Sequence, residues 1–340
     1  MFAPRIIAIT TLLHCAAWPV LAAGDALESG QRCTAELFEG RYETIWQQMT
    51  PQMQEAIGSE VALGDFMKKV QAQAGTEKQV IRETIQQQAG MQTYLRYSLF
   101  DKLSTPVVVS FSFTPEQRIA GFYVRPLQRP AESPHLDYET KAELRLPFDG
   151  AWYVFWGGRS VERNYHAAAK DQRFAYDFVV EKDGVTHRGE GAMNEDYYCW
   201  GEPILAPAKA TVISFERLLP DNPPGVMDPG NPAGNHVMLD LGEGEYALLA
   251  HMQANSIVVE EGEELDAGQV IGRCGNSGNT SEPHLHFHLQ DEPEFGTGHG
   301  LPAYFNQYTA NGDVVARGEP LQGQTVSVAR RGPAVATDDQ

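Results

Sequence analysis

Apolar positions change their period along the chain. Phe38, Tyr42, Ile45, Trp46 and Met49 recur at steps of three and four, the spacing of one buried face of an amphipathic helix. Pro51 follows directly, and Phe66, Met67 and Val70 mark a second helix over residues 63–74. The period then shortens. Residues 93–100, 107–113 and 119–126 read as strands, the last two joined by Thr114-Pro115-Glu116-Gln117 as a hairpin connection. Helices followed by an antiparallel meander predict a small α+β domain over residues 26–128. Pro130, Pro134 and the polar residues around them form a linker, so a domain boundary is expected between 128 and 140.

From Leu144 onward the pattern is nearly all β. Short apolar runs occupy 152–156, 174–180, 211–215, 236–241, 246–252, 270–272 and 285–289, with Gly, Pro and Asn clusters between them. Such spacing is that of an all-β sandwich or barrel, placed here over residues 140–312. Residues 217–235 interrupt it, with five prolines and three glycines in 19 residues. A loop of that length is either functional or mobile; a substrate-groove wall and an irregular surface insertion are both open. Residues 313–340 carry few apolar side chains and read as a tail, with its last ten to fifteen residues disordered.

Within the β half, one stretch carries candidate chemistry. In GNSGNTSEPHLHFHL, residues 275–289, His284, His286 and His288 stand at every second position. Alternate residues of a strand project to one face, so three imidazoles share a face while Leu285, Phe287 and Leu289 fill the other. A surface strand with polar residues outward would have the same alternation. Imidazole is, however, the commonest metal ligand, and the Gly/Asn/Ser turn with Pro283 can fix where the strand begins.

Composition narrows the partners. The 340 residues carry a formal net charge of −19 and are 42% apolar, enough for two ordinary cores. The acidic balance argues against nucleic acid, whose binding rests on Lys and Arg at phosphates, and offers no basic patch to an anionic membrane. Arg5 followed by the apolar runs 6–13 and 16–20 reads as a secretory leader, residues 1–22, with cleavage expected after Ala22 or Ala23. That run is too short, and too broken by His14 and Pro19, for a membrane span. The expected product is soluble, periplasmic or secreted. Three cysteines then remain, Cys33, Cys199 and Cys274. Exported proteins keep disulfides; Cys199 with Cys274 is the favoured pair, against the alternative of three buried thiols.

The stretch 275–289, with LLAHM at 248–252 and VVEEGEELDAGQVIG at 258–272, resembles the M23 (LytM/lysostaphin-like) zinc metallopeptidases over residues 145–310. The resemblance implies an antiparallel β-sheet groove with zinc at its floor and hydrolysis of peptide bonds in bacterial peptidoglycan. By position, His286 would bind zinc, while His284 and His251 would be the catalytic imidazoles. The family's His-x-Gly-x-Asp is absent in that form. His166 in RNYH, followed eleven residues later by Asp177 in FAYDF, would supply the remaining ligands; Asp171 is the competing aspartate, in a polar stretch. His288 stands where the family often has an acidic residue and would at most support the ligand. His135, His187, His236 and His299 lack a motif and read as surface or packing residues. The N-terminal half resembles, by pattern alone, the NTF2-like domain found ahead of some exported peptidases. A non-catalytic cell-wall binding or regulatory protein on the same fold is the competing class, as is a zinc peptidase acting on exported proteins.

The chemistry of that set is coherent. Two neutral imidazoles and a carboxylate leave an open position on a catalytic zinc, and such an ion brings the pKa of water toward about 7. Two further imidazoles can move protons and donate to an oxyanion.

Overall fold

The computed structural model describes residues 23–88 and 90–329. The expected leader and the last residues of the tail lie outside them. Among the described residues, no helix is long and apolar enough to cross a membrane.

The N-terminal part is α+β, with helices α1 (Ala23–Phe38), α2 (Tyr42–Gln48), α3 (Pro51–Ile57) and α4 (Glu60–Ala74) followed by strands β1 (Glu77–Gln88), β2 (Met91–Phe100), β3 (Val107–Phe113) and β4 (Ile119–Pro126). The strands pair in sequence order, all antiparallel. The expected single helix over 38–49 is two helices. Gly40 takes φ 79°, a left-handed conformation that ends α1 without a Cβ penalty, and α2 starts afresh at Tyr42. Pro51 then opens α3, where its missing N–H costs nothing, behind an N-cap in which the Thr50 hydroxyl accepts from Met53 N at 3.2 Å. Strand β1 escaped the sequence reading because its Gln-rich stretch is largely exposed and carries no apolar alternation. One apolar core, including Ile45, Leu63, Phe111 and Phe113, lies between helices and sheet.

The C-terminal part has strands β5 (Ala151–Trp156), β6 (Tyr176–Val179), β7 (Pro203–Leu205), β8 (Ala210–Glu216), β9 (Asn235–Asp240), β10 (Tyr246–Met252), β11 (Glu264–Leu265), β12 (Val270–Arg273), β13 (Leu285–Gln290), β14 (Gly300–Leu301), β15 (Phe305–Ala310), β16 (Asp313–Gly318) and β17 (Thr325–Val328). Its main sheet runs β11-β8-β9-β10-β13-β6-β5-β17-β15-β16, with β14 also on β13, while β7 and β12 form a separate pair. The tail expected from residue 313 is corrected here: β16 and β17 complete the sheet, and Val326 is fully buried in the same core as Phe287 and Phe305. That segment is short in apolar side chains because β16 lies at the sheet edge, where little of it is covered.

The histidine strand β13 sits mid-sheet between β10 and β6. This placement brings residues from three separate stretches of sequence side by side. It also buries both faces of β13: Leu285, Phe287 and Leu289 enter the main core, while the histidine face is covered in part by a smaller cluster of Ala233, Met238, Leu248 and Ala250. The imidazoles are therefore interior groups, not an exposed polar edge.

Candidate metal centre

Asp177 on β6 and His286 on β13 are direct cross-strand partners. In an antiparallel pair such residues project to the same side within contact distance, and His286 Nδ1 lies 2.9 Å from Asp177 Oδ1. His166 completes the cluster from a short 3₁₀ turn, Tyr165–Ala168, its Nε2 2.9 Å from Asp177 Oδ2. One ligand atom from each of these three buried residues lies within 4.8 Å of the others. Ligands around a zinc at ~2.0–2.2 Å would stand about 3.2–3.6 Å apart, so small adjustments suffice. Asp171 lies outside this cluster.

The turn carrying His166 is set by a residue the sequence reading missed. Asn164 is fully buried; its Oδ1 accepts from His166 N at 3.2 Å, and its Nδ2 donates to Gly158 O and Ala175 O at 3.0 and 2.9 Å. The turn before β6 is thereby tied to the one that presents His166. Two residues before His166 in a polar stretch, Asn164 carries no sequence pattern that could have identified it.

His251 reaches the same face by a break in alternation. Ala247 and Leu249 enter the main core, and Leu248 and Ala250 face the smaller cluster. Strict alternation would send residue 251 into the core. Instead β10 loses register with β9 between Leu249 and Met252, and His251 takes φ 61°. Such an irregularity re-aims a side chain, as bulges beside active sites do. His251 Nδ1 donates to Ser277 O at 2.9 Å, leaving the Nε2 lone pair free. His284 Nδ1 lies 2.9 Å from Glu282 O, and its Nε2 is 3.6 Å from Asp177 Oδ1. The two rings stand 4.7 Å apart.

The turn leading into β13 is held from several sides. Cys274, just before it, is disulfide-bonded to Cys199, with Cα atoms 6.0 Å apart, a separation in the usual range. A Cβ on Gly275 would lie 2.1 Å from Gln253 N, and one on Gly278 2.4 Å from Gly234 N; only glycine fits either place. Ser277 Oγ donates to Met252 O and accepts from Asn235 N. The Pro/Gly-rich loop 217–234 runs beside the turn, bonded through Asn222 N to Asn276 O and Asp228 N to Gly278 O. At its end, Pro232 and Ala233 line a cleft of about 330 Å³ that also contains Tyr165, His166, His251 and His286. Arg125 of β4 and Gln128 extend the same cleft.

Charge states follow from burial. Burial alone would raise the Asp177 carboxyl; the His166 and His284 imidazoles and the hydrogen bonds from His166 and His286 outweigh it and hold the group well below the ordinary carboxylate range. Burial, reinforced by neighbouring imidazoles, pushes His251 well below its usual value and lowers His286 as well. An ionised carboxylate among neutral imidazoles is a donor set suited to a borderline divalent ion.

Residues 195–296 match the model of peptidase family M23. Over that segment, 102 of the 340 residues, the chain is similar to peptidase family M23. The M23 match contains His251, His284 and His286, whereas His166 and Asp177 precede it and arrive through the fold. A curated relative, the peptidoglycan DD-endopeptidase ShyA of Vibrio cholerae, is 35% identical over 57 residues, 17% of this chain and 13% of that protein. The chain thus matches only about an eighth of that relative's length. Among solved structures, the catalytic domain of lysostaphin from Staphylococcus simulans is 18% identical, covering 45% of this chain and 88% of that one at TM-score 0.27. A zinc-containing peptidase from Vibrio cholerae is 15% identical, covering 63% and 58% at TM-score 0.27.

Proposed function

We propose that this chain is an M23 peptidase, an exported zinc metalloendopeptidase that hydrolyses peptide bonds in bacterial peptidoglycan. The observation carrying the reading is the convergence of His166, Asp177 and His286 within 4.8 Å, at a cleft that His166, His251 and His286 line. Zinc held by those three residues would supply Lewis-acid polarisation of a scissile carbonyl and acidify water. The chain's own groups do the rest. His251 and His284, each with Nδ1 at a backbone carbonyl, present Nε2 as an acceptor that can take a proton. Once protonated, the same atoms become donors to a developing oxyanion or return the proton to a leaving amine. Asp177 stays ionised and orients His166.

Peptidoglycan as substrate is supported by the family and by the peptidoglycan endopeptidase relative. Export is supported by the leader pattern in residues 1–22 and by the Cys199–Cys274 disulfide, a bond that persists in oxidising compartments. The NTF2-like reading of residues 26–128 is supported by helices packed on a four-stranded antiparallel meander. Digestion of purified sacculi by the protein from residue 23 onward, with mass spectrometry of the released fragments, tests the function. New peptide termini absent with His286→Ala are expected; intact sacculi would refute hydrolysis and leave the cell-wall binding alternative.

A further inference from the structure

A second group of metal-ligating side chains lies outside the centre already described. His135 comes from the linker, Asp291 and His299 from the connection between β13 and β14. One ligand atom from each lies within 4.8 Å of the others. His135 Nε2 is 2.8 Å from Asp291 Oδ2, and His299 Nδ1 is 3.5 Å from the same oxygen. The two imidazole rings stand 5.9 Å apart, edge to face. We propose that His135, Asp291 and His299 form a second zinc site that ties the linker to the hairpin at the end of the histidine strand.

Three features of the arrangement support it. First, the pair Asp291/His299 is built by strand register. Leu289 faces Leu301 and Gln290 faces Gly300, so the next opposed pair is Asp291 with His299. At that step Asp291 N donates to His299 O at 3.0 Å and His299 N donates to the Asp291 carboxylate Oδ1 at 2.6 Å, which holds both residues. The same device, an aspartate and a histidine directly opposed on antiparallel neighbours, sets Asp177 and His286. Second, the third ligand is placed by its own segment: His135 N donates to Ser133 Oγ at 3.0 Å, and His135 O accepts from Tyr138 N. That segment is anchored farther along by the buried Glu245, whose carboxylate accepts from Tyr138 Oη and from Lys141 and Ala142 N. Third, the donor set is chemically selective. Two imidazoles and one carboxylate suit zinc better than calcium or magnesium, which take oxygen ligands.

The side chains of His135, Asp291 and His299 are 22%, 27% and 33% exposed. Solvent therefore reaches the group, and water can fill a fourth position. Without metal, the Asp291 carboxylate bridges the two imidazoles directly, and burial is outweighed by the His299 backbone N–H and the His135 imidazole, which keep it below its ordinary value. A metal would replace that bridge and fasten the segment leaving the N-terminal sheet to the hairpin carrying Phe295, a wall of the cleft.

The test is zinc stoichiometry in the full chain from residue 23. Protein stripped with a chelator is reloaded with zinc chloride, desalted and assayed by elemental analysis, with circular dichroism as the control for folding. Two equivalents are expected in the wild type, and one each in His135→Gln, His299→Ala and His286→Ala. A wild type with one equivalent that His299→Ala and His135→Gln retain would overturn the second site. A wild type with one equivalent lost in His299→Ala but kept in His286→Ala would support this site and refute the centre at His166, Asp177 and His286. Cobalt loading gives a second readout: His286→Ala should keep a visible d–d absorption band that His286→Ala/His299→Ala lacks. An identical band in both would refute the site.

Discussion

His286 Nε2 lies 2.8 Å from Nδ1 of His288, and the bond fixes which nitrogen of His286 faces Asp177. The fixing starts farther out. Gln290 Nε2 donates to the carbonyls of Glu292 and Glu294, so its Oε1 must accept from His288 Nε2 at 2.9 Å. His288 then carries its proton on Nε2 and accepts at Nδ1. With zinc held there, His286 would carry its proton on Nε2 and turn the Nδ1 lone pair toward the metal beside Asp177. A chain of hydrogen bonds behind a ligand histidine sets its tautomer and ring orientation.

Breaking that chain should weaken metal binding without removing a ligand. His288→Phe leaves His286 Nε2–H without an acceptor and is expected to lower zinc affinity about 10–100-fold. His288→Gln offers both an acceptor and a donor and should recover most of the loss. Chelator-competition titrations decide it; equal affinities for the two variants would show that the relay does not position the ligand.

The ligand set itself is open to direct test. Asp177→Asn keeps the shape but removes the charge between His166 and His286, and zinc at that centre should be lost. Asp171→Asn should retain it. Elemental analysis in the His299→Ala background isolates this centre; loss of zinc in Asp171→Asn would overturn the assignment of Asp177.

His251→Ala and His284→Ala should keep zinc and lose about 10²–10³ in hydrolysis, the usual effect of removing a charge-stabilising donor. Release of dye from labelled sacculi, measured beside metal content, separates the two properties. Near wild-type turnover in either variant would remove that residue from the chemistry.

The metal-free protein should lose stability as pH falls from about 6.5. Burial, with the His286 imidazole adding to it, pushes His288 from 6.5 down to about 3. Above pH 6.5 the group is neutral folded and unfolded, so it contributes no pH dependence. Between 6.5 and 3 the unfolded chain takes up a proton that the folded one does not, and this group costs about 1.4 kcal/mol per pH unit. His251 and His286 act in the same direction. Thermal melts at pH 7, 6, 5 and 4 should show a falling midpoint, with a shallower slope in His288→Gln; a flat profile would contradict buried neutral imidazoles.

Thiol counts test the cysteines. Cys33 is buried, and burial pushes its thiol up to about 11, so the folded chain from residue 23 should resist alkylation at pH 8. Unfolding without reductant should expose one thiol, and with reductant three. Closing the loop between Cys199 and Cys274, 75 residues apart, contributes at most about 4–5 kcal/mol on the chain-entropy model. Cys274→Ser should lower the melting midpoint accordingly, and an unchanged midpoint would mean that the bond stabilises nothing.

Much of this architecture is visible in the sequence because it is local. The alternation of His284, His286 and His288, the apolar runs before them and the glycine-bounded turn all declare a strand and its start. What is not legible depends on partners distant in sequence. Strands β15 to β17 show little periodicity because their burial comes from β5 and from each other. Asn164 and Gln290 look like ordinary loop and strand amides until their carbonyl partners are in place. His135 and His299, 164 positions apart, acquire a common carboxylate only when the linker folds back onto the hairpin.

Arg125 and Gln128 stand in the wall of the cleft although they belong to the N-terminal sheet and the segment leaving it. The groove is thus a composite, with its histidine floor and part of its rim encoded in separate halves of the chain. Changes in the first half alone can therefore reshape what the cleft admits, leaving the cluster of His166, Asp177 and His286 untouched. Without Arg125 and Gln128 the cleft would lose that part of its rim while keeping His166, His251 and His286.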